Sequence, residues 1–90
     1  MRSEESESLE KYYLDRAREE FNLGQYEDAL GWYDHAWAER RTAMTGFRGG
    51  EVCFILKQYR KAIKMLKQAL ALLQEERLSD VASVATDSAS

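Results

Sequence analysis

The chain has 90 residues, and it contains no proline, one cysteine and one histidine. Because proline breaks helix interiors, its absence is typical of a helical protein. Cys53 alone cannot form an internal disulfide, so the chain is not a disulfide-stabilised secreted domain. With His35 as the one imidazole, few catalytic or metal-binding sets can be assembled. We therefore predict a protein that is not an enzyme and that needs neither a cofactor nor a metal.

Long apolar runs and a surplus of positive charge are also missing. The formal net charge is -3, which disfavours nucleic acid as a partner because that binding relies on lysine and arginine at the phosphates. No apolar run reaches the ~18–20 residues of a membrane-spanning helix. The opening sequence MRSEESESLE is too polar for a signal peptide. We expect a cytoplasmic protein without an integral membrane segment.

Apolar residues at helical spacing dominate the rest of the sequence. They recur at intervals of three and four over about Leu9–Leu23, Tyr26 to Arg41 or Met44, Phe47–Leu56, and Tyr59–Arg77. Gly24 interrupts the first pair of stretches, and Thr45 is the predicted N-cap of the third helix. The predicted fold class is all-α, with antiparallel helix-hairpin repeats and about four helices. Residues 1–8 are predicted to be a disordered acidic leader, and residues 79–90 a frayed tail or partial capping helix.

The chain matches itself when it is shifted by 33 residues. The matched pairs are Phe21 and Phe54, Leu23 and Leu56, Gln25 and Gln58, Tyr26 and Tyr59, Ala29 and Ala62, Leu30 and Ile63, Ala36 and Ala69, and Ala38 and Ala71. A fixed period of this size indicates stacked repeats. We expect two of the alanine pairs, Ala29 with Ala62 and Ala36 with Ala69, to mark close approaches between helices. We expect the paired tyrosines to join the two helices of each hairpin.

The pattern resembles the tetratricopeptide repeat (TPR). The first copy carries Ala17, Gly24, Tyr26, Ala29, Tyr33 and Ala36, and the second carries Gly50, Tyr59, Ala62, Leu66 and Ala69. The resemblance covers a predicted domain of residues 9–78, with repeats of about 11–43 and 44–77. The chain departs from the family in three respects: Lys57 stands where a turn glycine is usual, no repeat-closing proline is present, and the period is 33 where 34 is the norm.

The resemblance implies a protein–protein interaction module, an adaptor, scaffold or co-chaperone-like protein. Such a module binds a peptide or helix of a partner in a groove lined by the first helix of each repeat. The groove positions of the family fall on Lys11, Leu14, Arg18, Phe21, Asn22, Met44, Phe47, Arg48, Glu51, Phe54 and Ile55. A partner segment with apolar anchors and acidic residues would suit this mixture.

Some TPR proteins hold the C-terminal carboxylate of chaperones with a set of Lys, Asn and Arg residues. Here Leu14 stands at a Lys position, and Arg18 and Arg48 stand at Asn positions. We therefore do not expect this chain to capture chaperone tails.

Two other readings of the sequence remain open. The stretch LGQYEDALGWYDHAW also resembles the MIT (microtubule-interacting and trafficking) domain, a three-helix bundle that binds an amphipathic helix of a membrane-remodelling partner. In that fold Glu51–Arg77 would be one unbroken helix, so backbone continuity at Lys57–Gln58 distinguishes the two. The other reading is a plain four-helix bundle with chance similarity between its halves.

The fourth helix carries two candidate interaction surfaces, one apolar and one basic. Repeat arrays usually contain three or more units, and this chain contains two. We expect apolar residues on the outer face of that helix to be covered by the tail, by a second copy in a homodimer, or by a partner; they are Ile63, Met65, Leu72 and Leu73. The basic run Lys57, Arg60, Lys61, Lys64 and Lys67 forms either a solvated face or a surface for an acidic partner or anionic membrane.

Overall fold

The computed structural model describes the backbone of residues 2–89 and the side chains of residues 7–78. Its helices are α1 (Arg2–Asn22), α2 (Tyr26–Glu39), α3 (Ala43–Ile55) and α4 (Tyr59–Ala89). Helix α1 packs on α2, α3 packs on α4, and α2 joins the two hairpins by packing on α3. The predicted all-α helix-hairpin fold is confirmed.

Both outer boundaries differ from the predicted ones. Helix α1 begins at Arg2, within the segment predicted to be a disordered leader. Helix α4 continues to Ala89, through the segment predicted to be a frayed tail or a partial capping helix. Neither segment contains the glycine or proline that would stop a helix, and their glutamates and alanines have high helix propensity.

The turns of the two hairpins have the same backbone conformation and the same hydrogen bonds. Gly24 and Lys57 both adopt a left-handed backbone, with φ of 77° and 64°. In the first turn, the Gln25 N–H donates to the Glu20 carbonyl at 2.9 Å, and the Gly24 N–H donates to the Phe21 carbonyl at 2.9 Å. In the second turn, the Gln58 N–H donates to the Cys53 carbonyl at 2.8 Å, and the Lys57 N–H donates to the Phe54 carbonyl at 3.0 Å. This pair of bonds is the Schellman helix ending. The 33-residue repeat in the sequence is therefore also a repeat of backbone geometry.

The turn at Lys57 decides against the MIT-like alternative. Helix α3 ends at Ile55 and α4 begins at Tyr59, so the unbroken helix of that three-helix bundle is absent and that prediction is wrong. A left-handed lysine costs about 1–2 kcal/mol, and the packing of α4 against α3 offsets it.

An aromatic pair closes each hairpin beside its turn, as predicted for the two tyrosines. The rings of Phe21 and Tyr26 meet edge to face with centroids 5.3 Å apart. Those of Phe54 and Tyr59 meet in the same way at 5.5 Å.

The start of α3 corrects the predicted cap. The N-cap is Thr42, whose extended backbone (φ -121°, ψ 155°) precedes the helix. Its hydroxyl oxygen accepts from the Thr45 N–H at 3.2 Å. Thr45 lies inside the helix, fully buried, with its own hydroxyl bonded to that of Thr42 at 2.9 Å. Two threonines three residues apart each satisfy the capping preference, and sequence alone does not distinguish them.

Small residues line the contacts within and between the hairpins. The buried alanines include Ala17, Ala29, Ala36, Ala62 and Ala69.

Helix α3 approaches its neighbours through glycines. A Cβ atom at Gly46 would lie 2.8 Å from the Ala69 Cβ and 3.0 Å from Trp37 Cζ3. One at Gly49 would lie 2.5 Å from Met65 Cε. Met65, predicted on the outer face, is instead buried, because it follows Ala62 by three residues and so shares the inward stripe of α4.

Candidate partner-binding groove

The first helices of the two hairpins flank a shallow groove whose floor comes from α2. A cavity of about 90 Å³ is lined there by Leu14 and Arg18 of α1, Tyr33 of α2, and Met44 and Arg48 of α3. The groove thus combines side chains from both repeats.

Each wall of the groove repeats the same residue pattern. Leu14 and Arg18 are four residues apart on α1, and Met44 and Arg48 are four apart on α3. Residues at this spacing lie on one helix face. Leu14 is half-buried against the core, whereas Met44 is 57% exposed. Each wall therefore offers one apolar side chain beside one guanidinium group.

Within the described residues, each of the two guanidinium groups pairs with an exposed carboxylate on its own helix. Arg18 lies 3.1 Å from Asp15, and Arg48 lies 3.9 Å from Glu51. Exposed ion pairs of this kind contribute about 0–1 kcal/mol, so a partner carboxylate can compete for either arginine.

Tyr33 forms an uncharged floor between the arginines. Burial raises the pKa of its phenol above the ordinary value, and the charges of Arg48 and Arg18 oppose that rise in part. The hydroxyl therefore stays protonated at neutral pH. The sequence identified Tyr33 only as a repeat position of the first copy, which does not show that it borders the groove.

The structure brings together part of the predicted groove set. Leu14, Arg18, Met44 and Arg48 surround the cavity. The other positions lie elsewhere: Lys11 and Asn22 are exposed on α1, Phe47 is half-buried, Glu51 pairs with Arg48, Ile55 and Phe54 are exposed, and Phe21 packs on the core. The predicted positions of each helix lie within an arc of about 120°, so those that do not line the cavity lie farther along the same two helix faces.

A second, larger cavity of about 430 Å³ lies between α2 and α4. Its lining comprises Asp34, Trp37, Arg41, Arg60, Lys61, Lys64, Met65 and Gln68. Lys61 Nζ lies 2.7 Å from Asp34 Oδ2 and links the hairpins. The Arg41 guanidinium lies 5.4 Å from the centre of the Trp37 ring. Three members of the predicted basic run, Arg60, Lys61 and Lys64, therefore line this basic cavity.

Aromatic rings cluster on α1 and α2 away from both cavities. Tyr13 stacks on His35 at 5.2 Å and on Trp32 at 5.9 Å. Arg16 lies 5.4 Å from the Trp32 ring. His35 is exposed and also packs on this cluster.

Among the described residues, no three His, Cys, Asp or Glu side chains come together in a group that could hold a metal. Cys53 is fully buried, and burial raises the pKa of its thiol, so the reactive thiolate is disfavoured. In the described part of the chain, no helix combines the length and apolar character needed to cross a bilayer.

A scan of protein-family profiles found no match, and neither the curated proteins nor the solved structures contained a significant relative.

Proposed function

We propose that this chain is a TPR-like interaction module that binds a peptide or helix of another protein in the groove between α1 and α3. The observation that supports it is the convergence of two equivalent residue pairs, Leu14 with Arg18 and Met44 with Arg48, on one cavity. A groove built from two repeats suits an elongated ligand, since each repeat can contact a different part of it. The role is that of an adaptor or scaffold.

The lining defines the chemistry of the ligand. The cavity of about 90 Å³ has room for one small aliphatic side chain, which Leu14 and Met44 would contact. Arginine binds a carboxylate through two parallel hydrogen bonds, so Arg18 and Arg48 favour aspartate or glutamate on either side of that anchor. The proposed ligand is therefore an acidic segment with an aliphatic anchor residue.

The basic cavity between α2 and α4 supports a second candidate. It is larger than the groove, and beyond the Lys61–Asp34 pair it carries Arg41, Arg60 and Lys64. An acidic partner segment could bind there through charge. The two candidates differ in site and are separable by mutation.

The groove proposal is tested by selecting peptides from a random display library on the full chain. Selected peptides are then measured by fluorescence anisotropy against paired charge reversals. Arg18→Glu with Arg48→Glu should weaken binding by roughly tenfold or more, since each lost charged contact is typically a hot-spot loss. Met44→Lys should weaken it as well, because it removes the apolar wall.

The matched control is Arg60→Glu with Lys64→Glu, which changes the net charge equally at the basic cavity. We expect it to leave groove binding almost unchanged. If the control abolishes binding and the groove variant does not, the partner binds between α2 and α4. Peptides that are insensitive to both reversals, or that carry no acidic residues, would contradict the groove proposal.

A further inference from the structure

The second hairpin exposes several large apolar side chains. They are Phe54, Tyr59, Ile63 and Leu70, whose exposed fractions are 62%, 51%, 53% and 51%. We call this set the open face. Among the described residues, no side chain covers it.

The repeat shows what an equivalent face looks like when it is covered. Thirty-three residues earlier, the same positions hold Phe21, Tyr26, Leu30 and Trp37. Leu30 is 6% exposed, and the other three are half-buried against the core. The two faces have the same apolar chemistry, and they differ because the second hairpin covers only the first.

Helix α3 is the element that covers the face of the first hairpin, and its contact residues are small. Gly46 faces Trp37, and a Cβ at Gly49 would lie 3.8 Å from the Tyr33 Cβ. Cys53 follows on the same stripe and is fully buried. One turn later the larger Leu56 borders a surface cavity together with Tyr26. The covering helix thus presents small residues at i, i+3 and i+7, then an aliphatic one.

Charge also distinguishes the two faces. On the first hairpin, Asp34 receives Lys61 from the covering hairpin at 2.7 Å. The equivalent of Asp34 on the second hairpin is Lys67, which is exposed. Lys61 belongs to α4 rather than to α3, and at the equivalent place on the open face a carboxylate of the covering element would complement Lys67.

We propose that the open face binds a helix of a partner protein that carries small residues at i, i+3 and i+7 and is acidic along its flank. This occupant has the shape of α3 and the charge that Lys67 requires. The open face is distinct from the groove between α1 and α3, so binding at the two surfaces can be tested independently.

A second copy of the chain docked head to tail fits poorly. The first hairpin would have to present the small stripe of α3, but at the positions equivalent to Gly46 and Gly49 it has Tyr13 and Arg16. Tyr13 is stacked on Trp32 and His35, and Arg16 pairs with glutamates at 3.3 and 3.7 Å. These bulky side chains cannot provide the close approach that the glycines allow.

Face-to-face pairing of two copies and coverage by the tail are also disfavoured. Face-to-face pairing would bring the lysine-rich surface of α4, including Lys67, against itself without a compensating acidic group. The tail continues α4 as one helix to Ala89, so it leads away from the open face.

The test uses two helix-stabilised synthetic peptides that share the α3 spacing of small residues. They differ only at outward positions, which are glutamate in one and lysine in the other. Binding to the full chain is measured by fluorescence anisotropy. We expect the acidic peptide to bind roughly tenfold tighter than the basic one, and Lys67→Glu to remove that preference.

The location of the binding site is tested with Ile63→Lys combined with Leu70→Lys. This double variant should weaken binding of the acidic peptide by roughly tenfold or more. Met44→Lys, in the groove, is the matched control and should not. Methyl NMR of the unmodified chain gives an independent reading: the peptide should shift the Ile63 signal and leave Met44 unmoved. This measurement does not depend on the variants folding.

Three results would overturn the proposal. The first is that neither peptide binds to the chain. The second is binding that shifts Met44 and spares Ile63. The third is sedimentation of the free chain as a dimer that Ile63→Lys with Leu70→Lys dissociates, which would make a second copy the occupant.

Discussion

Gly46 and Gly31 both lie inside helices, but their surroundings are opposite. A Cβ atom at Gly46 would approach the Ala69 Cβ to 2.8 Å and the Trp37 ring to 3.0 Å. A Cβ atom at Gly31 would have no heavy atom within 4 Å apart from its chain neighbours and its own helix backbone. Glycine is needed for the approach of α3 in the first case, whereas in the second it only weakens the helix.

We predict opposite effects of alanine at these two sites. Gly46→Ala should lower the free energy of unfolding by about 1–3 kcal/mol, because neither the short Ala69 side chain nor the packed ring can move away cheaply. Gly31→Ala should raise it by about 0.5–1 kcal/mol through helix propensity. Urea unfolding followed by circular dichroism measures both. If alanine raised the free energy of unfolding equally at the two sites, α3 would not pack closely at Gly46.

At the scale of elements, the two Schellman turns form a natural pair in which one position differs. Gly24 adopts its left-handed backbone without a steric penalty, while Lys57 adopts the same conformation with a side chain. The hydrogen bonds around the two residues are equivalent. The difference in stability between the turns therefore comes mainly from the residue at this position.

Exchanging the residue types at the two turns should move stability in opposite directions. Lys57→Gly should raise the free energy of unfolding by about 0.5–1 kcal/mol, which is the relief of strain less the extra entropy of glycine in the unfolded chain. Gly24→Ala should lower it by roughly 1 kcal/mol or more. Chemical denaturation reports both, and Lys57→Ala serves as the control for loss of the charge alone. If Lys57→Gly destabilises the chain, the left-handed turn is not the native geometry.

The sequence predicted the order and repeat spacing of the helices more accurately than the residues at which they begin and end. The 33-residue match placed a turn at Lys57 although the residue there is not glycine, because the flanking aromatic and Gln-Tyr positions repeat. The start of α3 was misplaced since Thr42 and Thr45 carry the same capping signal, and only the backbone shows that Thr42 is the extended one.

The groove was predictable to the extent that one helix face determines it. The pairs Leu14 with Arg18 and Met44 with Arg48 follow from i, i+4 spacing once α1 and α3 are neighbours. The contribution of Tyr33 could not be read in this way, because it depends on how α2 is rotated beneath the other two helices. The open face was foreseen only in part: Ile63 was named, but Met65 was placed with it although it is buried.

At the scale of the whole molecule, the two hairpins depend on each other for burial. Contacts of Trp37 with Gly46, of Tyr33 with Gly49, and the Asp34–Lys61 pair join the first hairpin to the second. A hairpin of this size cannot bury its apolar face alone. The 90-residue chain should therefore unfold as one cooperative unit rather than repeat by repeat.

A single tryptophan allows a direct test, because Trp32 packs on Tyr13 and lies near Arg16, both in α1, and so reports on the first hairpin. Trp37 lies against Gly46 of α3, so it is replaced by phenylalanine in every variant measured. Met65→Ala removes a buried side chain from the second hairpin and should cost about 2–5 kcal/mol. With coupled hairpins, the urea midpoints from tryptophan fluorescence and from far-ultraviolet circular dichroism should fall together. Leu23→Ala, which truncates a side chain that is 65% exposed, should move neither midpoint appreciably. If Met65→Ala lowers the dichroism midpoint while the fluorescence midpoint stays in place, the first hairpin is stable without the second, and the contacts through Gly46 and Gly49 do not couple the two repeats.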